Sequence, residues 1–339
     1  MARRLTSLLL VAILCAQLSS LQAASVDQIM KSAVQGDSAS QFDLAQRYEA
    51  GEGVEQDPAR AAEWYRKAAM NGHARAQTNL GNLYRSGQGV GKDFDQAMAW
   101  YRKAAAQGDT KAQINIGMMY AGGMGVEKDT TEGLRWLQRA AEAGDTQAMV
   151  HLGTVYRSGK GVKKDYARSV QWFRIAAEKG DTVAQHNLGL SYYGGKGVAR
   201  NYVASVKWHR KAADKGYPPA EYSMALRYAS GKGVSRDNAT AAEWYRKAAS
   251  HGHPDAQNNL GLMYRKGEGV SQDYAEALGW FGKAAKRGHP LAQYNLGNMY
   301  LKGQGTEPNP EEARLWFRKA AKAGHKGARK ALETLDGDS

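Results

Sequence analysis

The chain has 339 residues, and 47 Lys and Arg against 33 Asp and Glu give it a formal net charge of +14. A single cysteine excludes an intramolecular disulfide, so stability has to come from packing. So basic a chain would have nucleic acid as its default partner, a reading that the export signal at its N-terminus argues against.

Residues 1–24 read as a secretory signal peptide. Arg3 and Arg4 precede an apolar run from Leu8 to Ala16, and small residues follow, ending in Ala23 and Ala24, after one of which cleavage is expected. The run is too short for the roughly 20 residues of a membrane-spanning helix. The cysteine, Cys15, lies inside this leader, and bulky Leu14 before it disfavours lipidation. The mature chain is expected in the periplasm of a Gram-negative bacterium, with secretion as the alternative.

Residues 25–36 read as an N-terminal capping half-repeat, and 37–324 as eight full copies of a 36-residue repeat. Trp64, Trp100, Trp136, Trp172, Trp208, Trp244, Trp280 and Trp316 mark the period, and no other Trp occurs. A repeat of this size cannot bury a core alone, whereas stacked copies can share one. The expected fold is therefore all-α: one right-handed superhelical solenoid of helix-turn-helix repeats.

The second copy shows the elements in order. Ala76, Leu80, Leu83 and Tyr84 share one helical face. Gly87 and Gly89 then stop that helix, since a left-handed residue is cheap only for glycine. Asp93 follows as an N-cap, with Gln96 completing a capping box. Ala97, Trp100, Tyr101, Ala104 and Ala105 share the face of a second helix, which Gly108 closes. Gly81 and Ala104 are expected to let helices approach closely, with Trp100 and Tyr84 filling the gaps between layers. Residues 325–339 read as a C-terminal cap and tail.

These residues carry a resemblance. From Ala76 through Leu80-Gly81, Tyr84 and the glycine loop to Trp100, Arg102-Lys103-Ala104-Ala105, the chain resembles the Sel-one-like repeat, a relative of the tetratricopeptide unit. The resemblance implies an α/α solenoid and roles as envelope scaffold, host-factor binder or periplasmic immunity protein against a type VI secretion effector such as a phospholipase. Some secreted relatives use disulfide-clamped repeats, from which this chain departs.

No enzyme is expected. The sequence has no G-x-S-x-G, S-x-x-K or K-T-G motif, and no catalytic cysteine outside the leader. The G-x-G loops follow no strand and do not read as phosphate cradles. His73, His253, His289 and His325 share one repeat column with Asp37, Asp109, Asp145 and Asp181, which points to helix capping rather than zinc. No cofactor and no metal are expected.

Function must then use columns that vary between copies. If the first helix of each repeat lines a concave side, one nearly constant polar column there includes Asn115, Asn187, Asn259 and Asn295. Beside it lie Arg85, Arg157 and Arg265, and together they would hold a peptide backbone or an acidic segment. The other reading of the asparagines is that they bond helices of adjacent repeats together. His186 joins the groove candidates, and Tyr193, Tyr222 and Tyr294 are candidate aromatic anchors. The fourth and fifth repeats each carry a net charge of +4, with Lys160, Lys163, Lys164 and Lys196 on their interhelical loops. This basic edge would steer an acidic protein partner. The alternative class is a lipid-, lipopolysaccharide- or glycan-binding envelope protein, and a hydrolase is a distant third.

Overall fold

The computed structural model of the protein describes residues 26–337. The signal-peptide reading, including Arg3, Arg4, Cys15 and the Ala23-Ala24 cleavage site, lies outside these residues. The described residues fall into two compact units that divide between Lys163 and Lys164. The first holds α1 (26–34), α2 (Ser38–Ala50), α3 (Pro58–Met70), α4 (Ala74–Ser86), α5 (Phe94–Ala106), α6 (Thr110–Gly122), α7 (Thr130–Glu142) and α8 (Thr146–Ser158). The second holds α9 (Tyr166–Glu178), α10 (Thr182–Gly194), α11 (Tyr202–Ala213), α12 (Pro218–Ser230) and α13 (Asn238–Ser250). It continues with α14 (Pro254–Lys266), α15 (Tyr274–Lys286), α16 (Pro290–Lys302), α17 (Pro310–Lys322) and α18 (Lys326–Gly337).

The caps set these boundaries. The Asp93 carboxylate accepts the backbone N–H groups of Asp95 and Gln96, both at 2.9 Å, and opens α5. Gly87, at φ +79°, closes α4 by donating its N–H to the Leu83 carbonyl. Gly89 serves a different need: a Cβ there would run into the carbonyl of Pro58, because the loop lies on the start of the preceding repeat's second helix. The histidine column caps as expected. His73 Nδ1 accepts the N–H of Ala76 at 3.1 Å, and His289 Nδ1 that of Ala292 at 3.1 Å.

Within each unit, every helix packs against the next one in the chain, from α2 to α8 and from α9 to α18. That is the nearest-neighbour logic of an α/α solenoid. The core column is not the one expected. Only Trp64, Trp244 and Trp316 are buried; the other five tryptophans are half-buried. The indoles lie one position off the line facing the first helix and pack under basic side chains, as Lys103 Nζ does 4.0 Å above the Trp100 ring. The next residue along makes the core: Tyr65, Tyr101, Phe173, Phe281 and Phe317 are completely buried. The glycines of the first helix make room for these rings, since a Cβ on Gly81 would stand 2.6 Å from the ring of Tyr101. Burying one such ring contributes about 1.5–3 kcal/mol.

The Tyr84 column is half-buried, except for buried Tyr48, and several of its members are tied by their hydroxyls. Tyr84 accepts from Arg66 at 2.8 Å, Tyr228 from Arg210 at 2.7 Å and Tyr264 from Arg246 at 2.9 Å. A further column went unread in the sequence although it steps by the same period. Buried Gln77, Gln185 and Gln257 each donate to a carbonyl eight residues back, at the end of the preceding helix, at 3.0–3.1 Å.

Candidate functional site

The first helices of the first unit form a groove. A cavity of about 540 Å³ is bounded by side chains of α2, α4, α6 and α8. Thr78 and Leu83 are buried in its floor, and the Thr78 hydroxyl has no hydrogen-bond partner. Across the floor, Asn115 donates its Nδ2 to Asn82 Oδ1 at 3.0 Å, linking α6 to α4. Arg85, Lys111 and His151 stand along the walls. The one carboxylate lining the groove, Glu49, accepts from the Tyr65 hydroxyl at 2.5 Å. Burial, with Glu49 adding to it, pushes the Tyr65 phenol well above its ordinary value, so it stays a donor. Arg85 Nε donates to the Tyr101 hydroxyl at 3.3 Å, a contact that holds the guanidinium at the groove edge.

The structure separates the other residues singled out in the sequence. Arg157 is half-buried at the end of α8. Lys160 and Lys163 are exposed in the loop that follows, and Lys160 borders a second cavity. In the second unit, Lys164 and Lys196 are exposed near the Tyr166 ring, with Nζ at 5.9 and 5.7 Å from its centre. Asn187 is buried. Asn259 donates to the Tyr245 hydroxyl at 3.3 Å, and Asn295 to Asn258 Oδ1 at 3.0 Å. Three of the asparagines thus bond within the stack, Asn115 doing so while it lines the groove. Arg265 lies 5.9 Å from the centre of the Phe281 ring.

The candidate aromatic anchors are engaged internally. Tyr222 stacks on His253 at 4.5 Å, and Tyr294 on His325 at 4.4 Å. In each case the ring meets the histidine that caps the next first helix. Tyr193 lies under the Arg227 guanidinium, 3.6 Å from its ring centre, and accepts from Lys232 at 3.3 Å.

His186 faces an unexpected neighbour. Its ring lies 5.0 Å from that of His209, which is 1 % exposed and occupies the column filled elsewhere by Tyr101, Phe173 and Phe281. Burial first, then the charges of His186 and Arg227, push the His209 imidazole down to about 3. Its Nδ1 has no hydrogen-bond partner, and neither do Nε and Nη1 of buried Arg227. The sequence signal for this pair was a histidine in a column that is otherwise apolar or aromatic, Leu137 being its one aliphatic member, and it was missed.

Among the described residues no group of three or more His, Cys, Asp or Glu is placed to hold a metal ion. No helix among them is long and apolar enough to cross a membrane.

Consecutive helix pairs on a fixed 36-residue period, with a polar groove on their first helices, define an α/α repeat protein of the protein-interaction type. The chain belongs to the Sel1 repeat family: the model of that repeat matches eight consecutive copies, 38–73, 74–109, 110–145, 146–181, 182–217, 218–253, 254–289 and 290–325. Among solved structures it is similar to a protective antigen of uropathogenic Escherichia coli strains that displays an SLR fold. The identity is 35 %, over 91 % of this chain and 67 % of that one, with a TM-score of 0.74. It is similar as well to a Sel1 repeat protein from Oxalobacter formigenes, at 35 % identity over 91 % of this chain and 89 % of that one, with a TM-score of 0.70. A search of curated proteins finds no match.

Proposed function

We propose that this chain is an exported, non-catalytic binding protein that takes an acidic segment of a protein partner into the groove of its first unit. It acts there as an adaptor, or as an inhibitor that covers the partner's working surface. Neutralising a secreted effector, as an immunity protein does, is one such role. The observation that carries the reading is the charge arrangement of the groove. Arg85, Lys111 and His151 line it, and its one carboxylate is bound to Tyr65. The Asn82–Asn115 pair offers amide groups that an extended backbone can bond. An acidic segment would meet charge-assisted donors along the walls and polar groups on the floor. The periplasm is the compartment that the leader proposes.

Capture from an envelope extract by the mature chain tests this. The partner is expected to be retained at low salt and released as ionic strength rises, because exposed charge pairs are screened. Charge reversal at Lys160 and Lys163, which lie outside the groove, is expected to slow association without abolishing it, since charges outside the contact act mainly on the on-rate. Retention of only non-acidic partners, unaffected by salt, would count against the proposal.

A further inference from the structure

Smaller residues coincide at three columns where the third repeat meets the first helix of the fourth. Position 121 is alanine, where Arg85 and Arg265 stand in other copies. Position 137 is leucine, where Tyr65, Tyr101 and Phe281 supply buried rings. Position 155 is valine, where Leu83, Met119 and Met263 stand. In the second repeat the two larger residues meet, Arg85 donating to the Tyr101 hydroxyl at 3.3 Å. In the third, both partners of that contact are truncated.

The space they would fill is open. A cavity of about 470 Å³ lies there, bounded by Ala121, Leu134, Leu137 and Val155. Gly133 keeps its wall thin, since a Cβ at that position would meet the Gly117 carbonyl at 2.7 Å. Gly161 brings the next loop down onto Thr130 and closes one side. The two charged residues at the cavity, Lys128 and Lys160, are both exposed and both basic, and no acidic residue lines it. The volume is that of a small-molecule site.

We infer that this cavity binds a small anionic amphiphile, the apolar body seated on Leu134, Leu137 and Val155 and the acidic head between Lys128 and Lys160. Seating on the apolar wall removes ligand hydrocarbon surface from water, which drives binding, and the two ammonium groups select the sign of the head. This site is separate from the groove and does not rest on the reading of the groove.

Titration calorimetry of the mature chain with decanoate, and in parallel with decylamine, tests the assignment. Decanoate is expected to bind saturably and decylamine not to bind. Ala121→Arg installs a residue that the same column already carries at Arg85 and Arg265, so the fold has room for it, and it is expected to weaken decanoate at least about tenfold. Ala229→Arg is the control, because the sixth repeat keeps its buried ring, Tyr245, beside that alanine's column. It should leave binding unchanged. The pair Lys128→Glu and Lys160→Glu should abolish decanoate binding without lowering helical content. No saturable decanoate binding, equal binding of decylamine, or equal affinities in Ala121→Arg and Ala229→Arg would each overturn the inference.

Discussion

His209 is the residue at which this chain most clearly forgoes stability. It occupies a ring-shaped slot against Gly189, where a Cβ would stand 2.7 Å from its Cε1, much as Phe281 does against Gly261. The slot takes a ring but gives the imidazole Nδ1 no partner. With a folded value near 3 against an ordinary 6.5, the imidazole is neutral when folded and binds a proton more readily when unfolded. Its stability contribution is therefore whole above pH about 6.5 and is lost as pH falls from there toward 3, by a few kcal/mol on the order-of-magnitude scale. Burial holds the capping histidines His73 and His253 below their ordinary value too, so their Nδ1 caps weaken in the same direction. His209→Phe is expected to raise the melting temperature at pH 5 more than at pH 7.5, and scanning calorimetry at the two values checks it. Arg227→Met should also stabilise, by about 1–3 kcal/mol, because it removes a buried cation with two unpartnered nitrogens and restores the residue of Met119 and Met263. Equal melting shifts at both pH values would show that His209 is not the titrating group.

At the scale of the element, the loop glycines make different predictions although they look alike in sequence. Gly89 is at φ +72° and faces the Pro58 carbonyl, whereas Gly91 has open space where a Cβ would go. Gly89→Ala should cost more than 1–2 kcal/mol by strain and clash together, and Gly91→Ala should be neutral or slightly stabilising. Urea unfolding of the two variants separates them. The helices, their caps and their stops were legible because Asp93, Gly87 and the apolar steps of three and four act locally. The face that each aromatic takes was not legible. Trp100 and Tyr101 repeat with the same period, and a period says that a position is used without saying which side of the helix it lies on. The Asn82–Asn115 bond was hidden for the opposite reason: the column of Asn82 runs through Met118, Thr154 and Leu190, so asparagine is not its regular residue. The cavity at Leu137 needs truncation in several columns together, and columns read one at a time do not reveal it.

At the scale of the molecule, packing between consecutive helices makes stability local. The last core cluster joins Phe317 and Ala320 of α17 to Ala328 and Leu332 of α18. Truncation after Gly324 should therefore raise hydrogen exchange in α16 and α17 and leave α2 to α6 unchanged. Uniform loss of protection along the chain would contradict that. The same local logic leaves the groove residues free to vary, because Arg85 and Lys111 sit outside the buried columns. Binding is then separable from folding, and this is the claim on which the functional reading stands. The direct test is the affinity of the captured acidic partner for Arg85→Glu combined with Lys111→Glu, measured by calorimetry beside the wild-type chain. The account predicts a loss of at least about a hundredfold with an unchanged melting temperature. Wild-type affinity in that double variant would contradict it.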